Sequence, residues 1–400
     1  MKQRILIVHN GYQQSGGESL VAQNEAAMLR AHGHFVAFYT RDNAEIAAYG
    51  LLRKLLLPFT TLFSLRTCRE VQRLIAQEQI DLVHVHNTVP LISPAVYYAA
   101  WSRGVPVVQT VHNYRFVCPN GMFYRDGQVC EECVKHGLGR AVRHGCYRGS
   151  RAQSLVLAAA LGLHRLLGTY RRIDAYICLT SFARQKLMQK LPRERLEIKP
   201  NIVDSAADPL PYAAHGGEFV FLGRLDAQKG VWVLLAAFAM LPECELRVIG
   251  GGPEEAAMRA YLKEHSMKNV VMMGQLPHDE ALAYVARARA AVMPTQWYEG
   301  LPLTVLESFA LGTPVVGSQL GNVGAVLSEH GGGFQFDQND PAALAGCIAA
   351  LTQARLQAAS AEALAAACAI CDQEKNYRML IQIYQKAAGR RGRAYEPCEE

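Results

Sequence analysis

The stretch Trp297-Tyr298-Glu299-Gly300-Leu301-Pro302-Leu303-Thr304-Val305-Leu306-Glu307 places two glutamates eight residues apart around a predicted helix start. Pro302 has a backbone φ that suits the first turn of a helix, and leucines behind it continue one apolar face. The pattern predicts Glu299 in the loop before the helix and Glu307 in its second turn. Free backbone N–H groups at the helix start favour an anion such as phosphate. The alternative is that both glutamates lie on an ordinary surface helix.

A second stretch, Phe219-Val220-Phe221-Leu222-Gly223-Arg224-Leu225-Asp226-Ala227-Gln228-Lys229-Gly230, predicts an apolar strand that runs into a tight loop. The loop carries Arg224 and Lys229. An arginine can bind two phosphate oxygens at once and a lysine adds a point charge, so two cations just past a strand suit a diphosphate. The turn Gly250-Gly251-Gly252-Pro253 also lets backbone approach a nucleotide. It lacks the full dinucleotide-binding spacing and does not indicate a nicotinamide cofactor.

Together with Gly312-Thr313-Pro314-Val315-Val316-Gly317, these stretches resemble the donor half of a family 4 retaining glycosyltransferase of the type found in bacterial polysaccharide and lipopolysaccharide biosynthesis. The resemblance covers nearly the whole chain and implies an α/β fold of the GT-B type. In that fold, two Rossmann-like, doubly wound parallel-sheet domains face each other across a cleft. The chain departs from many relatives at Gly321-Asn322-Val323-Gly324-Ala325, where they carry a Gly-Gly-x-x-Glu segment.

The resemblance implies transfer of a sugar from a nucleotide-sugar donor to a carbohydrate or polyprenyl-linked acceptor, with retention at the anomeric carbon and no cofactor required for catalysis. Arg224 and Lys229 would stabilise the diphosphate leaving group, and Glu307 would hold the ribose. Glu299 would bind the donor sugar's hydroxyls as a catalytic residue, with Gly300 and Leu301 also in the donor site. A nucleotide-sugar epimerase of the same fold and a non-catalytic sugar-binding subunit remain alternatives.

In the first half of the chain, short apolar runs alternate with helical stretches, which is typical of a parallel sheet covered on both faces. Gly16 and Gly17 follow the first predicted strand, where glycine lets backbone approach a ligand. The resemblance places this pair near the donor phosphates and the acceptor. His112 follows another predicted strand directly, so we expect it at the carboxyl end of the sheet. The resemblance implies that His112 contacts the transferred sugar.

The 400 residues suit two domains better than one core. We expect an acceptor-side domain at 1–204, a linker at 205–217, a nucleotide-sugar domain at 218–375, and a C-terminal helix at 376–400 that packs back on the first domain.

Charge is distributed unevenly along the chain. Residues 1–200 carry 26 Lys and Arg against 13 Asp and Glu, whereas residues 201–400 carry 15 against 22. A basic half favours an anionic surface or acceptor, and the absence of an aromatic-studded basic motif argues against nucleic acid. The segment from Leu51 to Phe59 mixes leucines with Arg53 and Lys54, which fits either an anionic membrane surface or a core-facing helix with a basic outer face.

The start of the chain runs straight into a strand without a cleavable apolar region, so we expect a cytoplasmic protein, with peripheral attachment to the inner face of the membrane as an extension. Eleven cysteines in such a protein favour free thiols or metal ligands over disulfides. Cys118, Cys130, Cys133 and Cys146 lie in a glycine-rich insertion at about 117–147, where four thiolates would suit a structural zinc. Reduced thiols, or His136 or His144 in place of one cysteine, are the alternatives.

Overall fold

The computed structural model describes residues 2–11, 17–203 and 209–392, which divide into two compact units. The N-terminal unit comprises Met1–Phe123, Glu131–Pro200 and Gln373–Glu400. The C-terminal unit comprises Tyr124–Cys130 and Asn201–Asp372. The predicted domain end at residue 204 and the first part of the predicted linker, 205–208, lie outside the described residues.

The first eight strands include the whole sheet of the N-terminal unit. They are β1 (Arg4–Gly11), β2 (Phe35–Asp42), β3 (Leu82–Asn87), β4 (Val107–Val111), β5 (Tyr124–Arg125), β6 (Gln128–Val129), β7 (Ala175–Cys178) and β8 (Leu196–Ile198). Six of them pair in the order β2-β1-β3-β4-β7-β8, and every pair is parallel. β5 and β6 form a separate antiparallel hairpin.

Helices connect these strands and cover the sheet. They are α1 (Gly17–Ala31), α2 (Leu51–Leu62), α3 (Leu65–Gln77), α4 (Ala95–Ser102), α5 (Glu132–His136), α6 (Gly139–His144), α7 (Arg151–Leu166), α8 (Thr169–Arg172) and α9 (Ser181–Leu187). Ser64, Ser150 and Thr180 precede α3, α7 and α9, and each accepts a hydrogen bond from the backbone N–H three residues later. These caps define where the three helices begin.

The C-terminal unit has a second six-stranded parallel sheet. Its strands are β9 (Phe219–Leu222), β10 (Leu246–Ile249), β11 (Val270–Gly274), β12 (Ala290–Met293), β13 (Val315–Ser318) and β14 (Gly333–Phe336), in the order β11-β10-β9-β12-β13-β14. Its helices are α10 (Val231–Ala239), α11 (Glu255–Glu264), α12 (His278–Arg287), α13 (Leu303–Ala310), α14 (Gly321–His330), α15 (Pro341–Ala349) and α16 (Gln353–Cys371). Two doubly wound parallel sheets confirm the predicted α/β class.

The last helix, α17 (Gln373–Gly389), belongs to the N-terminal unit. It contacts β4, β7 and α1. Its tyrosines reach into the unit, where Tyr377 Oη lies 2.8 Å from His34 Nε2 and Tyr384 Oη lies 2.8 Å from His84 Nδ1. Both tyrosines are buried, so α17 contributes apolar area as well as polar contacts to this unit.

The outer face of α2 is apolar and exposed. Leu51, Leu52 and Phe59 are 77%, 70% and 70% exposed. The interpretation of this segment as a core-facing helix is therefore wrong for these side chains, because it is the leucines that face outward. None of the helices that the structure describes is both long enough and apolar enough to cross a membrane.

Candidate functional site

A lysine and a glutamate meet where the strand order of the C-terminal sheet reverses. The chain runs outward from β9 through β10 to β11 and then returns to β12 on the other side of β9. Open α/β sheets bind ligands beyond the carboxyl ends of the strands at such a switch point. Lys229 follows β9 and Glu299 follows β12, and Lys229 Nζ lies 2.6 Å from Glu299 Oε2.

Glu299 has one oxygen paired and one oxygen available. Its side chain is 5% exposed, against 22% for Lys229. The other oxygen, Oε1, is buried and has no hydrogen-bond partner among the residues that the structure describes. A carboxylate oxygen accepts hydrogen bonds, so Oε1 can receive one from a hydroxyl group of a ligand. A buried acceptor left without a partner costs free energy, which favours a ligand at this position.

Arg224 lies in the same loop as Lys229 and is oriented by Asp226. Its Nε is 2.9 Å from Asp226 Oδ2, while 56% of the arginine side chain is exposed. Burial raises the pKa of Asp226, and the charges of Arg224 and Lys229 oppose that shift. The loop therefore presents an exposed guanidinium and a partly exposed ammonium after the same strand, as the sequence predicts.

Glu307 lies in the second turn of α13, as predicted, and is 7% exposed. Burial raises the pKa of its carboxyl group, and His278, whose Nε2 is 3.4 Å from Glu307 Oε1, acts in the opposite direction. The prediction for Pro302 was wrong by one position. With ψ at 126°, its backbone is extended, so Pro302 is the residue before the helix and not part of the first turn.

The segment that departs from the family pattern supports the Glu299 loop. α14 begins at Gly321, and the Asn322 side chain donates a hydrogen bond to the backbone carbonyl of Glu299. The next residues of that loop are Gly300 and the buried Leu301, whose carbonyl accepts a 3.4 Å hydrogen bond from Asn201 Nδ2. This contact of Asn322 could not be predicted, because residues 299 and 322 lie in separate segments and no sequence pattern links them.

The glycine turn after β10 packs against the Arg224 loop. A Cβ atom on Gly250 would lie 2.0 Å from the Gly223 carbonyl oxygen, and one on Gly252 would lie 2.4 Å from that of Leu225. Leu225 N donates to Gly251 O at 3.0 Å. These glycines therefore let two backbone segments of the protein approach each other. The prediction from the sequence was that they let backbone approach a nucleotide.

Three His-Asn pairs end adjacent strands of the N-terminal sheet. His9-Asn10 lies in β1, His86-Asn87 closes β3, and His112-Asn113 follows β4. Of these three histidines, the prediction from the sequence named only His112. The His-Asn dipeptide recurs after three apolar runs, and this repeat also indicates His9 and His86. His112 is 7% exposed, and its Nε2 lies 3.0 Å from His86 Nδ1. His9 is bonded to Ser19 at 2.9 Å.

A buried ion pair lies next to these histidines, on the side of His86. Lys199 Nζ is 2.5 Å from Glu25 Oε1, and both side chains are 1% exposed. Glu25 Oε2 is 3.3 Å from His86 Nε2 and 3.8 Å from His84 Nδ1. No sequence pattern pointed to Glu25 or Lys199.

Burial and neighbouring charges control ionisation in this cluster. Burial raises the pKa of Glu25, but Lys199 and a hydrogen bond from His86 outweigh it, so the pKa lies well below its usual value. Burial, together with the nearby His86, lowers the pKa of His112 to about 3. Burial likewise lowers the pKa of His9 to about 4. His112 and His9 are therefore neutral imidazoles at neutral pH, beside an ionised Glu25.

Glu25, His84 and His86 bring three potential metal-ligand atoms within 4.8 Å of one another. The Lys199 ammonium already neutralises this carboxylate and would repel a cation there. The cluster is therefore better described as a hydrogen-bonded network than as a metal centre.

A cavity of about 70 Å³ opens beside His112 within the N-terminal unit. Its lining combines polar groups from the strand ends with apolar groups from α7, and includes His86, Gln109, His112, Leu157, Leu161 and Tyr170. Gly17, the first residue of α1, is described, whereas Gly16 lies outside the described residues.

The four cysteines of the insertion differ in burial. Cys118 and Cys133 are buried, and Cys130 and Cys146 are partly exposed. Burial lowers the pKa of Arg165, and its interactions with Tyr170, Cys133 and Cys118 oppose that shift. Cys118 and Cys133 therefore interact electrostatically with the partly buried Arg165. His144 is 3.5 Å from Glu132.

Comparison with known proteins identifies the family. Residues 15–207 match the model described as Glycosyltransferase Family 4, and residues 214–367 match the model described as Glycosyl transferases group 1. The chain belongs to the family 4 glycosyltransferases.

Individual relatives are distant. This chain is 31% identical over 235 residues to the phosphatidyl-myo-inositol mannosyltransferase of Mycobacterium leprae (strain TN). The match covers 54% of this chain and 61% of that protein. The chain spans between 33% and 61% of the length of the first curated relatives it matches.

Solved structures share the fold. Sucrose-phosphate synthase from Thermosynechococcus elongatus has a TM-score of 0.71 at 17% identity, over 97% of this chain and 100% of that chain. Anabaena HepE in complex with UDP-glucose has a TM-score of 0.65 at 15% identity, over 96% and 99%. The predicted GT-B fold is thereby confirmed.

The contact between the Lys229 and Glu299 loops depends on Gly230. Its φ is +75°, and an added Cβ atom would lie 1.7 Å from the Pro294 carbonyl oxygen just after β12. We expect Gly230→Ala to lower the melting temperature, because strained backbone alone costs about 1–3 kcal/mol and the clash adds to it. Thermal unfolding followed by circular dichroism measures this.

Gly346→Ala is the matched control. Gly346 lies in α15, has no positive φ, and an added methyl group would contact nothing within 4 Å. Alanine should stabilise that helix by about 0.5–1 kcal/mol. Equal melting temperatures for the two variants would contradict the proposed dependence on Gly230.

Proposed function

We propose that this protein transfers a sugar from a nucleotide-sugar to a carbohydrate or lipid-linked acceptor, with retention at the anomeric carbon, in cell-surface polysaccharide synthesis. The observation that carries the proposal is the Lys229–Glu299 pair at the switch point, with Glu299 Oε1 available and Arg224 in the same loop. Similar proteins named as glycosyltransferases, and HepE in complex with UDP-glucose, support the same class of donor.

The donor's charge and hydroxyl groups match these side chains. Arg224 and Lys229 supply fixed positive charge for the diphosphate that forms as the glycosidic bond breaks, which lowers the barrier because the charge is already in place. Glu299 Oε1 accepts a hydrogen bond from a sugar hydroxyl, and Glu307 accepts from the ribose. The backbone of Gly300 and Leu301 completes the donor site.

Retention follows from attack by the acceptor on the face that the diphosphate leaves. The two carboxylates bind hydroxyl groups in this scheme, so no covalent sugar–carboxylate intermediate is needed. Fixed cations take the place that a divalent ion has in other transferases, and no cofactor is required for catalysis.

An epimerase of the same fold is the second candidate. It would interconvert nucleotide-sugars without an acceptor, whereas a transferase releases the nucleoside diphosphate. A non-catalytic subunit has no need of an organised pair of cations, and here Arg224 and Lys229 are held by Asp226 and Glu299. Product analysis with a panel of nucleotide-sugars, with and without acceptors, separates the three.

Removing the guanidinium should reduce turnover far more than stability. Arg224 is more than half exposed, so Arg224→Ala should leave the fold intact. Loss of one preorganised charge at the diphosphate should cost about 2–4 kcal/mol of transition-state stabilisation, or roughly 30- to 1,000-fold in rate. Release of the nucleoside diphosphate from the donor is the measurement, and Arg259→Ala on α11 is the control.

Lys229 needs a different variant, because its removal leaves Glu299 buried without its cation. Lys229→Met should therefore lose both activity and stability, and Glu299→Gln added to it should restore stability without restoring activity. For the Arg224→Ala variant described above, near wild-type turnover in a folded protein would contradict the proposed stabilisation of the diphosphate by this loop.

We infer that α2 and α7 form a docking surface for an anionic membrane that presents the acceptor. The two helices pack against each other. Their exposed apolar side chains are Leu51, Leu52, Leu55, Leu56 and Phe59 on α2 and Leu155, Leu163 and Leu166 on α7, with Leu167 just beyond it. Arg53 and Lys54 are exposed on α2 as well. Apolar groups that insert at the interface, beside cations that attract headgroups, characterise helices that lie on membranes.

Charge reversal tests this surface. Each cation near an anionic surface contributes about 1 kcal/mol, so Arg53→Glu/Lys54→Glu should lose most of its binding to vesicles that contain phosphatidylglycerol. Lys263→Glu/Lys268→Glu makes the same change in net charge within the C-terminal unit and should still bind. Flotation at low and high salt measures both, because salt screens the attraction beyond about 10 Å. If the wild-type protein stays in solution at low salt, a soluble acceptor becomes the better proposal.

We also propose a structural zinc held by Cys118, Cys130, Cys133 and Cys146. Four cysteine sulfurs are a donor set that zinc prefers in structural sites, and a glycine-rich insertion gains stability from such a link. The metal would stabilise the insertion and take no part in the transfer step.

Elemental analysis of protein purified without added metal should find about one zinc per chain. Cys133→Ser should lose it, whereas Cys68→Ser, which changes a thiol on α3 outside the insertion, should retain it. A metal-free and fully folded sample would overturn the proposal.

A further inference from the structure

His86 and His112 form a hydrogen bond, and the proposed reaction does not specify which of the two rings donates it. The two rings stack with centroids 5.2 Å apart, and His86 Nδ1 lies 3.0 Å from His112 Nε2. A contact between two imidazole nitrogens at this distance holds one hydrogen, because one nitrogen must donate and the other accept. Which ring donates decides what His112 presents to a ligand.

Glu25 decides the direction. Its Oε2 lies 3.3 Å from His86 Nε2, and each of these two buried atoms lacks a hydrogen-bond partner of good geometry among the described residues, so each has the other as its nearest polar contact. An ionised carboxylate can only accept, and it would repel a lone pair on the facing nitrogen, so the contact favours hydrogen on His86 Nε2. With its one hydrogen on Nε2, His86 has an acceptor at Nδ1. His112 Nε2 must therefore carry a hydrogen and donate it to His86.

Lys199 keeps Glu25 ionised in this buried place. Its ammonium binds the other oxygen, Oε1, at 2.5 Å, and both side chains are 1% exposed. The lysine thus neutralises the carboxylate and leaves Oε2 directed towards His86. A buried carboxylate without such a partner would take up a proton and could then donate, which would reverse the direction of the chain.

We propose that Glu25 and His86 are positioning residues that hold His112 in the tautomer with hydrogen on Nε2, so that Nδ1 accepts a hydrogen bond from a sugar hydroxyl. The identity of that ligand group rests on the proposed function, whereas the tautomer does not. His86 and His112 line the cavity of about 70 Å³ described above, which gives a ligand group space beside the ring.

His84 provides a control within the same cluster. It is fully buried like His86, but its Nε2 contacts Thr110 Oγ1 at 2.7 Å and its Nδ1 contacts Tyr384 Oη at 2.8 Å. Both of its ring nitrogens therefore contact side chains other than His112, and the residue belongs to the connection with α17. Its loss should therefore affect packing without changing the tautomer of His112.

Nitrogen NMR of the unliganded, full-length protein tests the proposal directly. With histidine labelled by ¹⁵N, and His112 assigned by comparison with His112→Gln, the unprotonated nitrogen should be Nδ1. His86→Leu should remove this preference, and His86→Gln should restore it, because an amide also has one acceptor and one donor. His84→Leu should leave it unchanged. Hydrogen on Nδ1 in the wild-type protein would overturn the proposal, and that measurement needs only the wild-type protein and the His112→Gln variant used for assignment.

Kinetics supply the second readout. Residues that orient a functional side chain typically affect activity by about 10- to 100-fold, so kcat/KM for the donor should fall by this amount in His86→Leu and recover in His86→Gln. A His84→Leu loss as large as that of His86→Leu at equal melting temperature would assign the effect to packing and contradict the proposal. If the wild-type protein transfers no sugar from any donor, the proposed function fails, while the NMR result still decides the tautomer.

Discussion

A lysine ammonium beside a buried carboxylate occurs in both units, and the side chains around it depend on that pairing. Lys199 binds Glu25 in one unit, and Lys229 binds Glu299 in the other. In each pair the lysine takes one oxygen and leaves the second for a hydrogen-bond donor. Removal of one partner from a buried pair typically costs about 3–5 kcal/mol. Each pair therefore fixes the two segments that carry it and keeps a charged acceptor in a place where water has little access.

The sequence predicts Arg224, Lys229 and Glu299 as site residues, but it does not predict that Lys229 and Glu299 are in contact. Arg224 and Lys229 follow an apolar run, and Glu299 precedes a helix, so each was found from local pattern. Their contact depends on β9 lying next to β12, which is a property of strand order and not of any window of sequence. Asn322 shows the same limit, because its bond to the Glu299 carbonyl joins two loops. Helix and strand positions were close to the observed ones because apolar periodicity decides burial.

The N-terminal unit was harder to predict for a different physical reason. A buried glutamate in the middle of α1 has the same local pattern as one on a solvated face, so Glu25 could not be recognised. His9 and His86 could have been, because His112 was chosen partly for its position after a strand, and the same His-Asn pair lies at the ends of two neighbouring strands. The basic, leucine-rich segment had two interpretations, since amphipathicity does not tell which face of a helix packs against the protein.

These differences indicate where substrate choice is made. The loops that carry Arg224, Lys229 and Glu299 are held by backbone approaches that need glycine, as at Gly230 and Gly252. The cavity beside His112 and the α2–α7 surface are built from side chains instead. Side chains change more readily than backbone geometry, so the acceptor's identity should be decided by the N-terminal unit, where the histidine row supplies the polar contact and α7 supplies the apolar wall.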